Sequence, residues 1–350
     1  MTNFKYFVNS LKGAIKPMVI FLIVGMLIYP LVVAIMQFDE YSTSNVGLIV
    51  TYLAILTYVI PIIKSAYLKR KKTIDYYYAL PIKRTVIMNV NLIVGLIELL
   101  VPFTICYFSG MIVTMIKTDM FDYYYFIPLY FSMVGLSVSL FIFNMFVASR
   151  ANTVVDSVLF MVLYTFGLAL PIFSINEATN NGFYTDAYML FTFMPFVNVG
   201  NYYASMMKDT SNIPLLYPHY VLAIFEALTY IPLFILTKKD KSERAEQISN
   251  SYFGYRTLIP FYVVSIVGAV VLGNIEELTF NIEWFMIVFM VLAAALVGYV
   301  IYYRKFKLPK RAWLMMGLSL VGGIIVGLLL LVIKNQFTPD VYALLIRSTF

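Results

Sequence analysis

The chain has 350 residues, of which 61% are hydrophobic and only 12% are charged, and its formal net charge is +7. Ordinary soluble domains carry about 25% charged residues, so the composition excludes a soluble enzyme, a disordered tail and a disulfide scaffold. Short charged blocks separate apolar runs of about 15 to 25 residues, a length that crosses a bilayer as a helix. The sequence therefore predicts an all-α polytopic membrane protein.

The first 16 residues (1–16) are predicted to form an amphipathic helix in the inner membrane interface. Phe4, Phe7, Val8, Leu11 and Ile15 share one helical face, and lysines lie on another. Such a helix directs its lysines toward anionic lipid headgroups. The pattern fits a simple anchor for the following span and a helix with a protein partner equally well.

Nine apolar runs are predicted to span the membrane. The third is long enough to tilt or to project from the bilayer, and the seventh is the shortest, with Pro260 near its start. The predicted spans are 17–36, 46–63, 86–113, 126–147, 154–174, 220–236, 258–272, 284–303 and 312–333.

The basic residues predict the orientation, because cytoplasmic loops collect Lys and Arg. With the N-terminus inside, 21 of the 25 Lys and Arg residues fall in inner segments. The exceptions are Lys117, Lys208, Lys334 and Arg347. The N-terminus is therefore predicted to be cytoplasmic and the C-terminus to lie outside. The same distribution explains the positive net charge without a nucleic-acid partner.

The inner loop 64–85 lies between the second and third spans and carries seven basic residues and three consecutive tyrosines (76–78). Pro81 has no backbone N–H and biases Leu80 away from the helical conformation. The loop is therefore predicted to contain a short element over 73–80 that ends in a rigid turn. Taken alone, this pattern is more typical of a basic anchor with interfacial tyrosines than of a binding element.

The outer segment 175–219 is too long for a structureless loop in a compact protein. Within it, the run 187–197 is apolar, contains Pro195 and is too short to span a bilayer. Such a run predicts a re-entrant piece that must pack against protein or water. We expect this segment to form an outer cap.

Two carboxylates lie deep within predicted spans, Glu98 in the third and Glu226 in the sixth. An ionisable group at such a depth costs at least about 2.5 kcal/mol unless it faces the protein interior or water. Two interpretations have equal weight: a neutral glutamic acid that holds helices together, or a residue that lines a transport pathway. Asn89, Asn91 and Asn144 are candidate hydrogen-bond partners.

Several kinds of chemistry are absent from the sequence. No G-x-x-x-x-G-K-[ST] motif occurs, so the chain does not bind ATP through a P-loop of its own. The single histidine excludes metal motifs that need two, and the single cysteine, Cys106, excludes an intrachain disulfide. The chain is therefore predicted not to be an enzyme, and no cofactor or metal is expected.

Residues 75–84 have the sequence DYYYALPIKR, an acid followed after a few residues by Leu-Pro-Ile-x-Arg. Around this motif the elements follow in the order amphipathic helix, two spans, basic inner loop, three spans, long outer segment and sixth span. Motif and order together resemble the ABC-2-type permease subunits of bacterial ATP-binding-cassette exporters. The resemblance covers about residues 1–237, with a six-span core over 17–237.

In that family the inner loop forms a coupling helix that docks on a separate ATPase subunit, and the outer segment forms a lid. The resemblance therefore implies that Asp75, Tyr78, Leu80, Pro81 and Arg84 face P-loop ATPase subunits. It also implies a second permease subunit, identical or different, in a bacterial plasma membrane. Membrane lipids are a further partner, and the expected cargo of export is an amphipathic peptide, drug or lipid-like molecule.

The C-terminal part departs from this six-span core. A charged inner loop (238–257), three further spans (258–333) and a short outer tail (334–350) are more like the larger Gram-positive permeases. Two other interpretations stay open. A secondary transporter independent of an ATPase predicts inverted repeats, and a membrane sensor or assembly factor predicts a large extramembrane domain. Neither feature is evident in the sequence.

Overall fold

The computed structural model of the chain describes residues 3–35, 44–117, 123–167, 194–207, 217–240, 243, 245–247, 249, 251–277 and 282–337. The regular structure of these residues is entirely helical, as the sequence predicts. The chain divides into two compact units. The first contains Met1–Met161 and Thr192–Gln247, and the second contains Val162–Phe191 and Ile248–Phe350.

Seven helices in the described residues are long and apolar enough to cross a membrane, and the chain is a membrane protein. They match seven of the nine predicted spans and are Asn3–Ile35, Gly47–Leu68, Arg84–Lys117, Phe126–Arg150, Tyr255–Gly273, Phe285–Tyr303 and Lys310–Val332. The predicted spans 154–174 and 220–236 correspond to the shorter apolar helices Val154–Thr165 and Ala223–Thr237. Residues 168–174 lie outside the described part.

The described part of the first unit is built from ten helices. They are α1 (Asn3–Ile28), α2 (Pro30–Ile35), α3 (Ser44–Ser65), α4 (Lys71–Tyr78), α5 (Arg84–Lys117), α6 (Tyr123–Arg150), α7 (Val154–Val162), α8 (Met194–Met207), α9 (Tyr217–Leu228) and α10 (Tyr230–Thr237). A 3₁₀ turn, Ala66–Leu68, follows α3. The π-helical turn that follows α7 in the chain, Leu163–Gly167, belongs to the second unit.

Prolines explain two of the helix breaks. Pro30 begins α2, and Pro232 has no N–H to donate to the carbonyl of Leu228, the last residue of α9. Pro17, in contrast, lies inside α1, so residues on both sides of the predicted boundary at 16/17 belong to one helix. Transmembrane helices tolerate such prolines because neighbouring groups satisfy the freed carbonyl.

Helices α5 and α6 organise the first unit. Helix α5 packs against α1, α2 and α3, and α6 packs against α3, α8, α9 and α10. Small residues allow the closest approaches. A Cβ at Gly110 of α5 would overlap the ring of Tyr29, which is buried at the junction between α1 and α2.

Most of the predicted outer cap, 175–219, lies outside the described residues, including 187–193 of the apolar run. The described part forms α8 and the start of α9. Pro195 lies in the first turn of α8, where a missing N–H breaks no intrahelical hydrogen bond. Phe196 and Val199 are buried, and α8 packs against α3 and α6.

The second unit contains α11 (Tyr255–Glu277), α12 (Ile282–Tyr303) and α13 (Lys310–Phe337). The short seventh predicted span is thus part of a 23-residue helix. Helices α11 and α13 touch along their backbones: a Cβ at Gly327 would lie 2.6 Å from the carbonyl oxygen of Gly268. Gly323 and Gly327 form a G-x-x-x-G pattern, which favours close packing of membrane helices.

Candidate functional site

Three connecting segments of the first unit meet at one end of its helices, which we call the basic end. They are the loop 66–83 after α3, the link 151–153 between α6 and α7, and the segment 238–247 after α10. Hydrogen bonds join each segment to another. All three segments were predicted to be inner, so their meeting agrees with that topology. The face of the membrane that they occupy stays a prediction.

Helix α4 lies at the basic end and has one buried and one exposed face. Ile74 is only 2% exposed, whereas Lys72, Asp75 and Tyr76 are exposed to solvent. The helix ends in a turn in which the N–H of Leu80 donates to the carbonyl of Tyr77, at 3.3 Å. Pro81, which follows, has no N–H with which to continue the helix.

The structure divides the predicted ATPase-facing residues into two groups. Asp75, Pro81 and Arg84 are exposed, whereas Tyr78 and Leu80 are half-buried. Leu80 packs against an apolar cluster from α1 and α5, whose buried members are Tyr6, Ala14, Ile87, Val90 and Val94. Asp75 and Pro81 are therefore accessible to a partner, while Leu80 holds the turn against the helices.

Asp240 connects the end of this loop to α6. The Arg84 guanidinium lies 4.2 Å above the ring of Tyr78, and its Nη1 donates to the carbonyl oxygen of Asp240. The Asp240 carboxylate in turn accepts from both Nη atoms of Arg150, at 2.9 and 3.3 Å. Paired hydrogen bonds of this kind fix orientation as well as distance. The start of α5, the end of α6 and the residues after α10 are thereby held together.

Lys69 caps the C-terminal end of α6. Its side chain is 2% exposed, and its ammonium nitrogen donates to the carbonyls of Ala148 and Ala151. The last carbonyls of a helix have no intrahelical partner, and a cation there also interacts favourably with the helix dipole. Burial, followed by the nearby Arg150 guanidinium, lowers the pKa of Lys69 to about 7, and two nearby carboxylates act in the opposite direction.

Glu246 joins α4 to the link between α6 and α7. Its N–H donates to the carbonyl of Asn152, at 3.1 Å, and its carboxylate Oε1 accepts from the N–H of Lys71, at 3.4 Å. Its φ of 64° lies in the left-handed region, which is uncommon for a residue other than glycine. Glu246 therefore forms a second connection, beside that of Asp240, between the α4 loop and the end of α6.

Glu98 is fully buried and forms an ion pair with Lys64. The Lys64 Nζ lies 2.5 Å from Oε1 of Glu98, and the pair joins the end of α3 to α5. A Cβ at Gly95, one turn earlier, would lie 3.3 Å from Cγ of Lys64 and 2.6 Å from the ring of Phe141. Gly95 therefore leaves the space through which Lys64 reaches the carboxylate.

The pair also shows how α3 and α5 lie along each other. Lys64 is the next-to-last residue of α3, yet it meets a residue 14 positions into α5, about 21 Å along the helix axis. The first part of α5 therefore extends beyond the end of α3. Glu98 lies near the middle of α5, as predicted for its span, and the Lys64 side chain reaches it from the last turn of α3.

Glu226 has a different environment. It is 7% exposed on α9, which packs against α6, and its neighbours Ile224 and Phe225 are exposed. Within the described part of the chain its carboxylate has no ion-pair or hydrogen-bond partner. The hydrogen bonds of Glu226 to Thr229 are accepted by its backbone carbonyl. Its predicted role in a pathway stays a prediction, as does that of Glu98.

Two of the asparagines predicted as partners of these carboxylates make other contacts. Asn144 donates to the carbonyl of Thr57, at 3.0 Å, and Asn89 accepts from the hydroxyl of Tyr230, at 3.1 Å. Sequence reasoning missed Lys64 because the apolar run was ended one residue before it. The available signal was a lysine directly after one apolar run together with a glutamate inside the next, longer run.

No cluster of three or more His, Cys, Asp or Glu side chains that could hold a metal occurs among the residues the structure describes. Comparison of the chain with protein-family models, with curated proteins and with solved structures finds no match.

Proposed function

We propose that the chain is the permease subunit of an ATP-binding-cassette exporter of the ABC-2 type. It pairs with a second permease, identical or different, and with P-loop ATPase subunits that dock on α4 from the cytoplasm. The cargo is an amphipathic peptide, drug or lipid-like molecule. The observation that carries the proposal is the exposed face of α4 together with its connections to the long helices.

The exposed face of α4 has the composition of a protein-binding surface. Lys72, Asp75, Tyr76 and Ala79 lie at helical spacing on one side, and all four are exposed. The Tyr76 side chain is 67% exposed, and tyrosine is enriched in protein interfaces and among the residues that contribute most to binding. An ATPase surface with an apolar hollow and mixed charges complements this face.

The contacts behind α4 support a role in transmitting motion. Arg84 and Asp240 connect the α4 loop to Arg150 of α6, and Glu246 connects Lys71 to the link before α7. A displacement of α4 therefore acts on α5, α6 and α10 together. ATP binding shifts the helices between inward-open and outward-open states to the extent that the ATPase binds the two states unequally.

The proposed path for the cargo runs near Glu98 and Glu226, at the interface with the second permease. The ion pair with Lys64 supports a helix-linking role for Glu98 within this scheme, because a paired charge is compensated in the resting state. Glu226, whose neighbours on α9 are exposed apolar residues, is the better candidate for contact with an amphipathic cargo.

Affinity purification in mild detergent tests the proposal. We expect a P-loop ATPase to co-elute with the chain and to be lost with the double variant Asp75→Lys, Tyr76→Ala, which changes exposed side chains only. Tyr252→Ala is the matched control, because Tyr252 is also 67% exposed but lies in the second unit. The control should retain the ATPase.

Other outcomes favour other functions. A complex that survives the double variant would exclude α4 as the docking element. A chain that purifies without an ATPase and moves cargo down an ion gradient would be a secondary transporter. A chain that does neither would fit a membrane sensor or assembly factor.

A further inference from the structure

A cavity of about 400 Å³ lies at the basic end of the first unit, within the usual range of about 300 to 1,000 Å³ for ligand sites. Four parts of the chain enclose it: the first turns of α1, the end of α3 with its 3₁₀ turn, α4, and the start of α5. Residues from each, such as Ser10, Lys64, Tyr77 and Asn91, line its wall. We propose that this cavity binds the headgroup of an anionic glycerophospholipid.

The wall is polar and carries a single charge. Among the described residues that line the cavity, Lys64 is the one charged side chain, and hydroxyl or amide groups come from Asn9, Ser10, Tyr77 and other residues. The Lys64 ammonium has three donors, and one of them serves Glu98. The others can donate to phosphate oxygens, and the hydroxyl and amide groups match the glycerol of a headgroup.

The charge around the opening favours an anion. No carboxylate lines the cavity within the described part of the chain, and Lys12 and Lys16, on either side of the lining residue Gly13, are exposed. Basic residues at a membrane surface attract anionic lipids. A cationic or zwitterionic headgroup gains less from this arrangement.

Apolar stripes lead away from the cavity on two of its walls. On α3, Ile63 lines the cavity, and Val59 and Ile55 continue at intervals of one turn as exposed side chains. On α1, the stripe beyond Gly13 continues through the exposed side chains of Ile20 and Leu27. Both stripes run from the basic end toward the other end of the unit. A ligand with a polar head and apolar tails fits this pattern, whereas free phosphate uses only the head site.

Cysteine labelling tests the site directly, because the single native cysteine, Cys106, is buried. Ser10→Cys places a thiol on the cavity wall, and Ala79→Cys places one on the exposed face of α4, outside the cavity. The full chain is reconstituted in nanodiscs of phosphatidylcholine, alone or mixed with phosphatidylglycerol in equal parts. An uncharged maleimide is used, because its local concentration does not depend on the surface charge.

We expect phosphatidylglycerol to slow the labelling of Ser10→Cys several-fold and to leave that of Ala79→Cys unchanged. Inorganic phosphate added to phosphatidylcholine nanodiscs should give no protection. Equal labelling rates in the two lipids would overturn the proposal, and protection by inorganic phosphate alone would identify a free-anion site instead.

A second variant tests the role of charge. Lys64→Met combined with Glu98→Gln removes the lining cation without leaving the buried carboxylate unpaired. In this background the protection of Ser10→Cys by phosphatidylglycerol should be lost. Full protection would show that the lining cation does not select the headgroup. The result is independent of whether an ATPase docks on α4, because labelling is measured on the purified chain.

Discussion

Two lysines, the half-buried Lys64 and the buried Lys69, explain much of the polar chemistry at the basic end. Both belong to an inner loop whose basic residues were predicted to act as an anchor, yet Lys64 pairs with Glu98 and Lys69 caps α6. The composition of the loop predicted its side of the membrane. It did not predict which lysines are enclosed by protein, because enclosure depends on helices that are distant in sequence.

The two members of the Lys64–Glu98 pair are predicted to differ in how much stability is lost when each one is removed. Lys64→Met should lower the free energy of unfolding by about 3–5 kcal/mol, because it leaves the Glu98 carboxylate buried without a cation. Glu98→Leu should cost less, because the Lys64 side chain is 14% exposed and that of Glu98 is 0% exposed. Denaturant unfolding in mixed micelles measures both changes.

The double variant Lys64→Met, Glu98→Leu is the control for this pair. It should recover most of the lost stability, because no charge is then left unpaired. Single losses that simply add in the double variant would contradict a direct interaction.

Lys69 predicts how stability depends on pH. Its pKa falls from 10.5 in the unfolded chain to about 7 in the folded chain. Between these values the unfolded state binds the extra proton, so stability should rise with pH across this window, by up to about 1.4 kcal/mol per pH unit. Below pH 7 the full penalty of the buried cation is present.

The comparison of wild type with Lys69→Met measures this contribution. The variant should lack the part of the slope between pH 7 and 10.5 that Lys69 supplies. Lys72→Met, which removes an exposed lysine of α4, should keep the wild-type slope. An unchanged slope in Lys69→Met would contradict the burial of a titrating lysine.

At the scale of elements, length and hydropathy located the long helices, and packing decided where they meet. Helix α5 extends past the end of α3, so Glu98, near the middle of α5, meets Lys64 from the last turn of α3. The predicted spans 154–174 and 220–236 are shorter helices in the described residues, and Pro232 explains the break between α9 and α10. Apolar composition alone does not predict such a break in a helix.

The α11–α13 pair allows a matched substitution test. Gly327→Leu should lower the melting temperature strongly, because a Cβ there would lie 2.6 Å from the carbonyl oxygen of Gly268 and would force the helices apart. Gly317→Leu, in the same helix, should leave the melting temperature nearly unchanged, because no atom lies within 4 Å of its Cβ position. A thermal-shift assay in detergent measures both, and equal effects would contradict the backbone contact.

At the scale of the whole molecule, the basic end makes a topological prediction. The structure joins residues near 70, 84, 150 and 240 by hydrogen bonds, so these segments must lie on one side of the membrane. The chain therefore crosses the membrane an even number of times between any two of them. That the predicted spans 154–174 and 220–236 supply two of these crossings stays a prediction.

Impermeant maleimide labelling of intact and inverted vesicles tests this topology. Single cysteines at Lys12, Ala79 and Lys239 should all react from the cytoplasmic side, with buried Cys106 giving little background. Labelling of Lys239→Cys from the opposite side to Ala79→Cys would contradict the shared basic end. Labelling of all three from outside would reverse the predicted orientation.

The sequence by itself determined that the chain is an all-α membrane protein, where the seven long apolar helices of its described part lie, and that a short element precedes Pro81. These properties follow from composition, run length and the missing proline N–H, which are local. Only the tertiary structure decided that Lys64 is the partner of Glu98, that Asp240 joins Arg84 to Arg150, and that Gly268 touches Gly327. Each of these contacts joins residues more than 30 positions apart, and their meeting depends on how far one helix extends past another and which face it turns inward. Hydropathy predicts neither the relative extension of two packed helices nor the face that each turns inward.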